Sequence, residues 1–276
     1  MKSKLILFTL AVGAMLCGCS RNWGETEYVM FPLNEPFTEL EISDGFVFEG
    51  YDPNIHRTED ACVVVGQKAL GKVKLEVKNG RLYVGFSSGN FNTGKQKPRV
   101  ILPYSKIELV TTLVLRENSV LEGSTMATSL TSLRSITLSD NSKMSGDLFL
   151  AWWNEEGTAM VGALNIDVES GSSIDAEILV PDVNITLSDG SRAKIATVYH
   201  DVETLNIDVR SGSNLSCVAS NISGTISGGS TVTATCCNTL SVNVTAGSTL
   251  SYHLGDGCEL STYDCHSSDD SAITQF

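Results

Sequence analysis

The sequence predicts an all-β protein: a single-stranded parallel β-helix solenoid with a less regular N-terminal β region. Three observations predict it. One turn chemistry recurs at intervals near twenty residues, the flanks of each turn alternate with period two, and no apolar helical return separates the repeats. Repeats of this length made only of strand and turn stack into a solenoid. Such crossovers are right-handed by general preference.

The repeat is plainest where "LNIDVESGSSIDAEI" at 164–178 returns as "LNIDVRSGSNLSCVA" at 205–219. Aligned on its serine, it places Ser119, Ser142, Ser172, Ser191, Ser213, Ser230 and Ser248 in register, at intervals of 23, 30, 19, 22, 17 and 18 residues. The residue before each serine is Asn118, Asn141, Gly171, Gly190, Gly212, Gly229 or Gly247. Gly and Asn accept positive φ most readily, so each repeat is expected to bend at one left-handed position. Two and four residues past the serine come apolar or small residues such as Ile174 and Ala176, Leu215 and Cys217, or Val232 and Ala234. Four and six before it come pairs such as Val168 and Ile166, or Val209 and Ile207. Period two means strands with one buried face. The serine falls in phase with the inward positions, which predicts a ladder of inward or corner hydroxyls bonding from rung to rung. Stacked at about 4.8 Å, seven rungs span roughly 34 Å.

Other segments fit less well. "LEISDGFVFEG" at 40–50 has Asp44 and Gly45 at the corner but Phe46 at the serine position, which suggests a terminal or capping rung. "LEVKNGRLYVGF" at 75–86 reads as a hairpin around Asn79-Gly80. "GNFNTGKQKPR" at 89–99 is a basic polar loop, and "HSSDDSAITQF" at the end is polar and expected to fray. The resulting organisation is a signal over 1–18, a tether over 19–36, an N-terminal capping β region over 37–110, β-helix repeats over 111–255 and a tail over 256–276.

Lys2 and Lys4 precede an apolar run from Leu5 to Leu16. That run is too short to span a bilayer and reads as a secretory signal. It ends in "LCGC" at 16–19, which resembles a bacterial lipobox and implies cleavage before Cys19 and lipidation of that cysteine. Ser20 follows it, which resembles sorting to the outer membrane, on either the cell surface or the periplasmic face. Cleavage removes two lysines and no acid, taking the formal charge from −13 to −15. So acidic a chain disfavours nucleic acid as a partner and gains nothing from an anionic lipid surface. Membrane attachment is expected through the lipid.

The lipobox, "FTELEISDGFVFEGY", "VKLEVKNGRLYVGF" and the repeated "ITLSDGS" and "NIDVRSGS" together resemble the autotransporter-adhesin head-domain family. That family is common in Bacteroidetes and long held as a domain of unknown function. The resemblance covers roughly residues 37–255. It implies a β-helical fold and an envelope location, with no catalytic residues and no established ligand to carry over.

Candidate sites follow from the outward positions. Trp152 and Trp153 sit in the long interval before Ser172, beside Asn154, Glu155 and Glu156. Exposed aromatic faces stack on sugar rings, while the plainer role is packing on the flank or in a contact with a second copy of the chain. Thr137, Asp167, Thr186, Asp208, Thr225 and Asn243 form an outward polar column. Of these, Asp167, Thr186 and Asp208 are the candidate contacts for an extended carbohydrate. Asp167 and Asp208 would lie two rungs apart, about 10 Å, slightly beyond paired inverting carboxylates. Lys and Arg are absent from that column, and the neighbouring one holds only Arg116, Glu169 and Arg210 as charged residues. Six cysteines follow Cys19, mostly as small buried side chains, with Cys258 and Cys265 the candidate disulfide. No spacing suggests a metal or cofactor site. Asn184, Asn214, Asn221 and Asn243 begin chance Asn-x-Ser/Thr triplets, and Ser271 lies in "DSA", which resembles a bacterial O-glycosylation acceptor. The expected function is a non-enzymatic adhesin or glycan-contacting module. The alternatives are a periplasmic structural or protein-interaction module and a polysaccharide lyase or hydrolase.

Overall fold

The computed structural model describes residues 24–49, 60–87, 96–123, 130, 132–146, 149–151, 163–196 and 202–276. The chain is all-β; the described helices are the single turns Gln67–Leu70 and Tyr104–Ile107. Each repeat is a strand, a corner and a second strand, and corresponding parts pair in register with their neighbours. Ahead of the corner, Glu39–Ile42, Thr112–Leu115, Ser135–Leu138, Ala163–Val168, Asp182–Leu187 and Thr204–Val209 pair in parallel in that order. The later halves of Asn214–Ile226 and Thr231–Val244 extend this ladder. Behind the corner, Val47–Glu49, Val120–Gly123, Lys143–Gly146, Ser173–Leu179 and Arg192–Ala196 form a second parallel ladder. The first halves of the two long strands and Thr249–Leu254 complete it.

Register converts the period-two pattern into columns. Leu113, Ile136, Ile166, Ile185 and Ile207 stack on one another and are all buried. Across the core, Leu121, Met144, Ile174, Ala193, Leu215, Val232 and Leu250 do the same. Each large aliphatic side chain so removed from water contributes about 1.5–3 kcal/mol. Gly224 interrupts the first column at φ +134°, where its backbone presses on the rung beside it. A Cβ there would lie 1.9 Å from the Ile207 carbonyl oxygen.

The corners carry two left-handed residues each, not one. Glu117-Asn118, Asp140-Asn141, Ser170-Gly171, Asp189-Gly190, Ser211-Gly212, Gly228-Gly229 and Ala246-Gly247 all have φ between +53° and +74°. Two consecutive positive φ values make the tight turn of the type I′ class. In it the serine amide donates to the carbonyl three residues back, as Ser191 does to Ser188 at 3.2 Å. The amide at the second left-handed position donates to the next rung instead, as Gly190 does to Ser211 at 3.0 Å. The hydroxyl ladder is present in the predicted phase. Ser172, Ser213, Ser230 and Ser248 Oγ accept from the amides of Ser142, Ser191, Ser213 and Ser230 at 3.1–3.2 Å. All seven corner serines are buried.

At the N-terminal end the chain order and the spatial order differ. Glu39–Ile42 lies between Thr112–Leu115 and Arg81–Phe86, so the Phe46 rung is not terminal. Nor is there a break at residue 110, because the same ladders and one apolar core run across it. Phe46 packs on Phe86, 5.1 Å between ring centroids, where other rungs place serine. The cap beyond is antiparallel. Val73–Lys78 closes one ladder through the Asn79-Gly80 hairpin, as expected. Ala61–Gly66 and Thr26–Phe31 close the other. Lys74, Glu76 and Lys78 on one outermost strand blunt it against pairing with other chains.

The C-terminal tail does not fray. Ala272–Gln275 pairs with Thr249–Leu254, and His266–Ser267 pairs with Asn243-Val244. Asp269 and Asp270 make one more left-handed corner at φ 55° and 58°. Ser271 Oγ accepts from the Ser248 amide at 3.1 Å, so this hydroxyl continues the ladder. The Cys258–Cys265 disulfide is also corrected. Cys258 bonds Cys237, with Cα atoms 4.8 Å apart, because the loop after Leu254 folds back over the middle of Thr231–Val244. Cys265 is a free, half-buried thiol, while Cys62, Cys217 and Cys236 are buried thiols as expected. Burial pushes the Cys217 thiol up to about 12, with Cys236 adding to it, which makes it inert.

Two predictions test the corner. Ser230→Ala removes the hydroxyl that accepts from the buried Ser213 amide and should cost about 1–3 kcal/mol in a denaturant titration. Ser191 Oγ has no bonding partner among the described residues, so Ser191→Ala should cost less than about 1 kcal/mol. The second concerns Glu117, whose carboxyl is raised by burial and then by the adjoining Asp44 and the Asp140 charge. A raised carboxyl stabilises the fold while protonated, below its unfolded value of about 4.3, and that contribution is lost as pH rises through the folded value. Glu117→Gln should therefore raise the melting temperature near neutral pH, with the advantage gone by about pH 4.

Candidate functional site

The outward positions of the first ladder form two adjoining columns. Thr137, Asp167, Thr186, Asp208, Thr225 and Asn243 stack in register, as the spacing predicted. Two residues earlier on each strand stand Asn165, Asn184, Asn206 and Ser223. Their side chains bond in series: Asn184 Nδ2 donates to Asn165 Oδ1 at 2.9 Å, Asn206 to Asn184 at 2.9 Å, and Ser223 Oγ to Asn206 at 2.7 Å. Asn238 donates to Asn221 at 2.7 Å, and Ser261 to Asn238 at 2.6 Å. Asn184 and Asn221, read as chance triplets, are thus members of an external amide ladder.

The three candidate contacts come together in one column on this face. Arg210 reaches across from the next column, and its Nη1 donates to Asp208 Oδ2 at 3.0 Å. Thr225 Oγ1 donates to the other oxygen at 3.3 Å. Asp208 is held as a paired carboxylate, with Thr186 between it and Asp167. The backbones of Asp167 and Asp208 stand two rungs apart, about 10 Å. Trp152, Trp153 and Cys19 lie outside the described residues.

The second ladder presents a different surface. Lys143, Ser173, Arg192, Asn214 and Thr231 form one outward column. Ser145, Asp175, Lys194, Ser216 and Thr233 lie in and around the next. A groove of about 460 Å³ runs over them. Asp175 accepts from Lys194 Nζ at 3.3 Å, while Lys143 and Arg192 make no ion pair among the described residues. Reading the serine ruler for charge as well as for apolar phase would have brought these cations together, since Lys143 follows Ser142 and Arg192 follows Ser191. Among the described residues no group of three His, Cys, Asp or Glu side chains could hold a metal ion.

No protein-family model matches the chain, and no curated protein matches it by sequence. Solved structures do resemble it. A candidate adhesin from Parabacteroides merdae superposes with a TM-score of 0.66 at 11% identity, covering 91% of this chain and 95% of its own. A candidate adhesin from Parabacteroides distasonis gives 0.63 at 13% identity, covering 92% and 98%. A candidate lipid-binding protein from the same species gives 0.67 at 11% identity, covering 92% and 97%. At these identities the likeness is one of fold: the chain shares an all-β architecture with these proteins over about nine-tenths of its length.

Proposed function

We propose that this chain is a lipid-anchored protein of the bacterial outer membrane that presents a long polar face for adhesion or glycan contact, without enzymatic activity. The fold that goes with this reading is a right-handed parallel β-helix. In-register parallel pairing over successive strand–corner–strand units supports it, as does the general handedness of such crossovers. The observation that carries the function is the contrast between interior and exterior. The interior is packed with apolar columns and corner hydroxyls, so contact chemistry is left to outward side chains repeated at the rung spacing. Two solved structures of similar fold are candidate adhesins, which favours display over catalysis. The Arg210 pair on Asp208 disfavours a hydrolase or lyase built on Asp167 and Asp208. Attachment would come from lipid on Cys19, within the "LCGC" stretch.

A tag placed after Phe276 tests the orientation. Intact cells should bind antibody to the tag and lose it to external protease. Protection until lysis would instead favour a periplasmic structural module that copurifies with a partner. In the same strain, Cys19→Ala should move the protein from the detergent phase to the aqueous phase. Retention in the detergent phase would rule out the lipid anchor.

A further inference from the structure

The groove on the second ladder collects positive charge on a strongly acidic chain. Lys143, Arg192 and Lys194 line it, against the single acid Asp175 among its lining residues. Lys194 is committed to Asp175, which leaves Lys143 and Arg192 as cations without an ion pair among the described residues. All four side chains are exposed. Register places Lys143 and Arg192 in one column with Ser173 between them, about 10 Å apart. The column continues through Asn214 and Thr231, so the groove crosses five successive strands over roughly 20 Å.

We propose that this groove binds an extended anionic polysaccharide of the polyuronate type, lying across the strands. The proposal rests on the glycan-contact reading above and names its site and ligand class. Lys143 and Arg192 meet carboxylates at alternate rungs, and such charge-assisted contacts are the strong ones at an exposed surface. Ser173, Asn214 and Thr231 supply neutral donors and acceptors for the hydroxyls between the charges. A linear polymer with a repeating acid fits cations spaced by a repeating scaffold, whereas a single small anion would use only one of them. Nucleic acid fits poorly: no aromatic side chain lines the groove to stack a base. Asp175 tempers the site by holding Lys194.

The detergent-solubilised full chain is titrated with polygalacturonate oligomers, neutral dextran oligomers of equal length, and polyglutamate. Polygalacturonate should bind, and binding should weaken as salt rises. Lys143→Gln with Arg192→Gln should weaken it about tenfold or more. Asp175→Asn, which frees Lys194, should tighten it, an effect that damage to the fold would not produce. No binding of polygalacturonate, or binding unchanged by the substitutions, overturns the proposal. Polyglutamate bound as tightly as polygalacturonate also overturns it, in favour of an acidic protein partner. Dextran binding that survives the double substitution would keep the glycan-contact reading and sink the groove. Polygalacturonate binding by a chain found protected inside the cell would sink surface display and keep the groove.

Discussion

The structure depends on one repeated constraint: a two-residue left-handed corner whose second amide donates to the corner of the next rung. At each of the seven corners the amide before the serine points along the stack, and at Ser119, Ser142, Ser172 and Ser191 the serine amide closes the turn. The serine hydroxyl then accepts from a neighbouring serine amide inside the core. A buried amide left without an acceptor is costly, so a corner displaced along the chain would lose bonds on both of its sides. Strand register follows from corner register, and column composition follows from strand register. That chain of consequences turns a scattered set of outward residues into two continuous faces.

The two faces share a scaffold and differ in chemistry. On the first, asparagines two residues before the Asp/Thr column bond to one another along the stack, and Arg210 neutralises Asp208. Side chains satisfied by their neighbours make a stiff polar surface with little unspent charge. On the second, Lys143 and Arg192 remain unpaired by any described residue above serines and threonines. Because the interior is filled by apolar columns, substitutions on either face are separable from folding in a way that substitutions at the corner are not.

Much of the repeating part was legible because period two and the Gly-Ser or Asn-Ser pair are local signals. The inward columns and the phase of the corner serines followed from them directly. What escaped shows where local signals end. The first left-handed residue of each corner is Glu117, Asp140, Ser170, Asp189, Ser211, Gly228 or Ala246, a mixture with no compositional mark. The last corner was missed because Asp270 stands where the ruler asked for Gly or Asn, although Asp also tolerates positive φ when its side chain can bond locally. The Cys237–Cys258 bond and the Lys143–Arg192 column join residues far apart in sequence, and only the register of the stack brings them together. Chain order alone puts the Phe46 rung at the end, whereas register sets Arg81–Phe86 beyond it.

The most direct test of this account is amide hydrogen exchange at the corners. If the corners set the stack, the amides of Asn141, Gly171, Gly190, Gly212 and Gly229, each bonded to the next rung, should exchange as slowly as the central strand amides. The Ser191, Ser213 and Ser230 amides, held by hydroxyls, should be protected with them. Fast exchange at these positions alongside protected strands would contradict the account, because the strands would then hold their register without the corners.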